Sequence, residues 1–139
     1  MGLNPLSTRL AALSIITAMA LGPLLLGGPA GAVETRLTPD ADARVEAANP
    51  TRNFGSSSRL TADLAPMTES YLRFTVPALS GVITKATLRL RVENPTGDGP
   101  KVRATTAQWD ERTITWDTRP PALDVLADAG KLKDNSWVS

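Results

Sequence analysis

The chain has 139 residues, enough for one domain, and a formal net charge of +1. It contains neither cysteine nor histidine. That excludes disulfide frameworks, thiolate or imidazole metal sites and Ser-His-Asp or Cys-His catalysis. With charges nearly balanced, bulk attraction to nucleic acid or an anionic membrane is not indicated, and any electrostatic recognition must come from a local patch.

The N-terminal stretch reads as an export leader. Arg9 is its single charge, the run "LAALSIITAMALGPLLL" is apolar, and Ala30-Gly31-Ala32 offers an A-x-A cleavage site. Residues 1–32 are therefore expected to be a signal peptide cut after Ala32, giving a secreted chain with no membrane contact afterwards. Arg9 leaves with it, so 14 Lys+Arg face 14 Asp+Glu in the remaining 107 residues. Residues 33–39 read as a linker, and residues 40–139 as the domain.

That domain reads as all-β. "DARV" (42–45) predicts a short strand, "NPTRNFGSSS" (49–58) a turn-rich connection, and "SRLTAD" (58–63) a second short strand. "SYLRFTVP" (70–77) alternates, which puts Leu72, Phe74 and Val76 inside and Tyr71, Arg73 and Thr75 outside. "GVITKATLRLRVEN" (81–94) is the clearest strand, with Leu88, Leu90 and Val92 on one face and Thr87, Arg89, Arg91 and Glu93 on the other. "PTGDGP" supplies a turn, and "KVRATTAQW" (101–109) is expected to pair back as a hairpin. "ALDVLADAG" (122–130) allows a short helix stopped by Gly130, and Trp137-Val138 begin a strand near the last residue.

Taken in order, "ADARV", "NFGSSSRLTA", "SYLRFTVPAL", "SGVITKATLRLRV", "RTITWDTRPP" and the final tryptophan resemble the DNRLRE domain, also classed as carbohydrate-binding module family 96. The resemblance runs from about residue 40 to 139. It implies a secreted antiparallel β-sandwich of jelly-roll type, often appended to extracellular enzymes or surface proteins. It also implies a non-catalytic role in binding polysaccharide, with alginate the reference ligand. Members of the family usually continue past the last tryptophan with an Asp-Val-Thr-like strand, so the sandwich is expected to be incomplete at its C-terminus. A structural or adhesive domain without sugar affinity, and a non-functional truncated fragment, are the rival readings. Attachment to another extracellular domain, or completion of the open sheet edge by one, is a further expectation.

Candidate site residues follow. Arg73, Arg89, Arg91 and Arg103 fall on the outward side of their strands by alternation. Guanidinium groups gathered on one face would form bidentate bonds with the carboxylates of an acidic polysaccharide. Lys85 and Lys101 would sit at the rim. The competing reading is a solvated face whose arginines are used up by Glu69 and Glu93. Trp109 and Trp116 in "QWDERTITWDTRPP" (108–121) could stack on sugar, but a tryptophan in such a segment more often anchors packing. Asp110, Glu111 and Asp117 do not form a glycosidase pair by sequence, because neighbours on an extended segment point apart. Asp40, Asp42 and Asn53 are candidate ligands for a structural calcium, a thin set for an ion that wants about six to eight oxygens. No other cofactor is expected.

Overall fold

The computed structural model describes residues 8–18, 33–79 and 81–139. Nine strands occur among them: β1 (Thr8–Ala18), β2 (Val33–Leu37), β3 (Ala41–Glu46), β4 (Leu60–Leu64), β5 (Met67–Arg73), β6 (Lys85–Val92), β7 (Lys101–Arg103), β8 (Val125–Asp128) and β9 (Trp137–Val138). The described residues include no helix, and so none that could cross a membrane. The fold is all-β and antiparallel, of the β-sandwich class.

The main sheet runs β3-β5-β4-β1-β6-β9, with β2 also paired to β1; β7 and β8 form a separate two-stranded sheet. A strand has two hydrogen-bonding edges. One edge of β1 is taken by β6, from Leu10↔Val92 to Thr17↔Lys85. The other is shared between β4 at Thr8–Leu10 and β2 at Ser14–Ala18. The segment read as an export leader thus contributes a central strand, while Ala30-Gly31-Ala32 lies outside the described residues.

Two apolar clusters form on opposite faces of β5. Ala41, Ala43 and Val45 alternate inward on β3 and lie level with Arg73, Tyr71 and Glu69. Tyr71, Trp109 and Ile114 complete this cluster, with Trp116 packed against it. The small side chains of Ala41 and Ala43 leave room for two rings, and Tyr71 meets Trp109 edge-on with centroids 5.9 Å apart. The second cluster joins Leu60, Leu90, Val92 and Leu132, with Leu72, Leu88 and Val138 at its margin.

Four expectations need correction. Tyr71 points inward, 7% exposed, because residues 108–121 cover its face; β5 stops at Arg73 and Val76 is 46% exposed. Residues 33–39 are not simply a linker, since Val33–Leu37 is a strand that pairs with β1. β7 does not pair with β6. Its partner is β8, where the short helix was an option, in register from Lys101↔Asp128 with an irregularity between Val102 and Arg103. Strand pairing with Lys101–Arg103 overrides the local pattern there, and Gly130 at φ 56° turns the chain beyond it.

Candidate functional site

The segment 108–121 is a strap held down over the β3–β5 face. Asn53 Nδ2 donates to the carbonyls of Glu111 (2.8 Å) and Ile114 (2.7 Å), and its Oδ1 accepts from Gly55 N (3.1 Å). Gly55 is needed at this crossing: a Cβ there would stand 1.9 Å from the Glu111 carbonyl oxygen. The Tyr71 hydroxyl lies within hydrogen-bonding distance of Pro120 O (3.1 Å) and Glu69 Oε2 (2.9 Å). Arg119 stacks on Trp116, bonds its carbonyl and pairs with Glu69 at 3.0 Å.

Trp109 is therefore a packing residue. At 9% exposure, with Tyr71 at its edge and the Arg73 guanidinium 5.5 Å from its centroid, it offers no open face for a sugar. Two of the strap acids serve folding. Asp110 caps the Arg112 amide (2.9 Å), and Glu111 Oε1 accepts from Asp42 N (3.4 Å). Burial first, and the Glu111 charge second, raise the Asp42 carboxyl above its ordinary value.

The calcium trio is not gathered into a site. Asp40 accepts from the Thr75 hydroxyl and from Arg73 Nε (2.8 Å), which hold its carboxyl below its ordinary value, the hydroxyl contributing most. Asn53 spends its amide on the strap. No group of three or more acidic side chains able to hold a metal ion occurs among the described residues.

Nor do the four arginines assemble into one stripe. Arg73 lies on the strap side of β5, bonded to Asp40 and to the Trp109 carbonyl (2.8 Å). Arg103 belongs to the separate β7–β8 sheet and donates to Leu123 O (3.1 Å). Lys101 pairs with Asp128 at 3.8 Å. The alternation that made all four outward-facing was local to each strand and carried no information on which strands are neighbours.

Arg89 and Arg91 do come together. Both project from the face of β6 opposite Leu88, Leu90 and Val92, and Lys85 shares that face by the same alternation. The antiparallel register with β9 sets Trp137 level with Arg91 and Val138 level with Leu90. Val138 therefore packs on the core and Trp137 stands outside, 49% exposed. The Arg89 guanidinium is 5.0 Å from the Trp137 ring centroid, and Arg91 Nη2 reaches Asn135 Oδ1 at 3.5 Å. The acids expected to neutralise this face are engaged elsewhere, Glu93 with Arg59 (3.2 Å) and Glu69 with Arg119. Arg89 and Arg91 form no ion pair among the described residues. Trp137 and Asn135 were not site candidates by sequence. The signal was the dipeptide Trp137-Val138, which becomes informative once the register with β6 is known.

Away from this face, a polar groove of about 460 Å³ is lined by Arg44, Glu46, Ser57, Arg59, Thr61 and Thr68 among others. Its arginines are committed, Arg44 to Glu46 (2.9 Å) and Ser57 (3.1 Å) and Arg59 to Glu93. It offers fewer free donors to an anion than the β6–β9 face.

No curated protein and no solved structure matches the chain. Residues 33–139 match carbohydrate-binding module family 96, and with that span covering most of the sequence the chain belongs to this family.

Proposed function

We propose that this is a secreted, non-catalytic module that binds an acidic polysaccharide, alginate or polygalacturonate in type, on the β6–β9 face. The observation that carries the reading is the pairing of two guanidinium groups, without carboxylate partners among the described residues, with a half-exposed indole. The indole supplies an apolar platform for a sugar ring. Arg91 and Arg89 supply planar forks for the carboxylates of successive uronate residues. Lys85, further along the same face, extends the positive row. Residues 1–32 act as the leader that delivers the module outside the cell. Membership of carbohydrate-binding module family 96 supports the sugar class; arginines that form no ion pair among the described residues support its acidity.

Affinity electrophoresis in gels containing alginate or polygalacturonate tests this directly. Retardation is expected at low salt and should fade as salt rises, because the charges lie at the surface. Arg89→Ala with Arg91→Ala should weaken binding by about tenfold or more, the scale of losing charged hydrogen bonds. Trp137→Ala should weaken it on neutral as well as acidic glycans. Unchanged retardation of the double variant, with its fold intact by circular dichroism, would remove this face as the site.

A further inference from the structure

The turn that leads into β9 carries an acid, Asp134, directly before the residue that touches Arg91. Yet neither Asp134 nor Arg91 forms an ion pair among the described residues. Asn135 stands between them. Its backbone N donates to Asp134 Oδ1 (2.8 Å) and its Nδ2 to Asp134 Oδ2 (3.3 Å), so both carboxylate oxygens are engaged. On its other side, Asn135 Oδ1 accepts from Arg91 Nη2 at 3.5 Å.

A primary amide suits this place because it presents a donor and an acceptor on one carbon. The result is a chain from carboxylate through amide to guanidinium, each bond polarising the next. A guanidinium oriented by a neutral acceptor keeps its charge and its remaining N–H groups. One bonded to a carboxylate gives up its fork and is neutralised. The backbone narrows the choice further. Asn135 has φ 51° and is the single non-glycine residue with a positive φ among the described residues. Asn and Asp enter that region several-fold more readily than other side chains. The two have the same shape and differ in charge. The turn itself is fixed: Ser136 Oγ donates to Lys133 O (2.6 Å), and Val92 N donates to Ser136 O (2.8 Å), which ties the turn to β6 beside Arg91.

We propose that Asn135 is the specificity-determining residue of the β6–β9 face. Its amide holds Asp134 off Arg91 and orients Arg91 without neutralising it, which leaves the guanidinium for a carboxylate on the ligand. The selectivity rests on the reading of this face as an acidic-glycan site; the amide bridge does not. With a carboxylate at position 135 the fork would be paired from within, as Arg59 is by Glu93 and Arg119 by Glu69. The face would then keep Arg89 and the Trp137 ring alone, and its preference for charged over uncharged sugar would fall.

Two measurements on the full chain separate the bridge from the selectivity. Guanidinium N–H resonances in nuclear magnetic resonance spectra, assigned through Arg91→Lys, report the bridge. Asn135→Gly keeps the left-handed backbone, removes the amide and frees one Asp134 oxygen for Arg91. Asp134→Asn should therefore shift the Arg91 resonances more in the Asn135→Gly background than in the parent. Equal shifts in the two backgrounds, the additive outcome, would overturn the bridge. Affinity electrophoresis in polygalacturonate and in its methyl ester, the same backbone without the charge, reports the selectivity. The parent should prefer the acid, and Asn135→Asp should cut that preference by about tenfold, the scale of one charged hydrogen-bonded contact. Retention by the ester should hardly change. A preference that survives Asn135→Asp, in a variant folded by circular dichroism, would overturn the selectivity role. A parent retained by neither polymer sinks the acidic-glycan reading and the selectivity with it, while the resonances still decide the bridge.

Discussion

A single amide, that of Asn53, fixes two carbonyls of a segment 58 and 61 positions away in the sequence. Replacing Asn53 by Ala strands both carbonyls in a partly buried place and should cost about 1–3 kcal/mol, read from denaturant unfolding. Gly55→Ala should be at least as damaging, because the added methyl meets backbone and not a movable side chain. Two neighbouring carboxylates carry opposite pH signatures. Asp42, whose carboxyl is raised by burial and by Glu111, holds its proton more tightly when folded. Its ionised form therefore lowers stability at neutral pH, and that penalty vanishes once the pH is below the ordinary 3.8. Asp42→Asn should raise the melting temperature at pH 7 and leave it unchanged near pH 3. Asp40 is lowered by Thr75 and Arg73, so its contribution is present above 3.8 and is lost as the pH falls through its lower folded value. Asp40→Asn should therefore lower the melting temperature at pH 7 only, and by a small amount that shrinks with salt.

Among the elements, the strap 108–121 shows what sequence patterns can and cannot convey. Its two indoles, the threonines and the closing Pro120-Pro121 marked an irregular segment with packing aromatics, and Trp109 is buried as such a residue would be. The alternation of β6 likewise sorted Leu90 and Val92 from Arg89 and Arg91 without any knowledge of the fold. Alternation failed on β5, because period two says that two faces differ and does not say that only one is covered. Tyr71 and Leu72 both reach apolar neighbours, on opposite sides of the sheet. It failed again for the arginine stripe, since Arg73 and Arg103 belong to elements that are not neighbours of β6. The site's aromatic, Trp137, depends on a two-residue register that no local pattern encodes. Trp109→Ala should destabilise the molecule by about 3–5 kcal/mol in urea unfolding, the loss typical of a buried tryptophan. Its effect on glycan retention should be confined to conditions where the variant unfolds.

At the scale of the whole molecule, β5 is the partition between two cores. One is roofed by the strap and the other is closed by Leu132 and the strands around β6. Leu72 is the side chain through which β5 touches the second, so Leu72→Ala should remove about 1.5 kcal/mol and loosen the coupling between them. Unfolding followed at Trp109 and by far-ultraviolet circular dichroism should coincide in the parent chain and separate in the variant. β6 carries the proposed glycan-binding face on its side chains while its two main-chain edges pair with β1 and β9. The three indoles also give the chain two optical reporters that can be read apart. Trp109 is sealed at 9% exposure, Trp116 lies under the Arg119 guanidinium, and Trp137 is open at 49% beside two cations. Iodide, an anion, should quench Trp137 first and selectively, and a bound uronan should shield it while leaving the blue-shifted emission of Trp109 untouched.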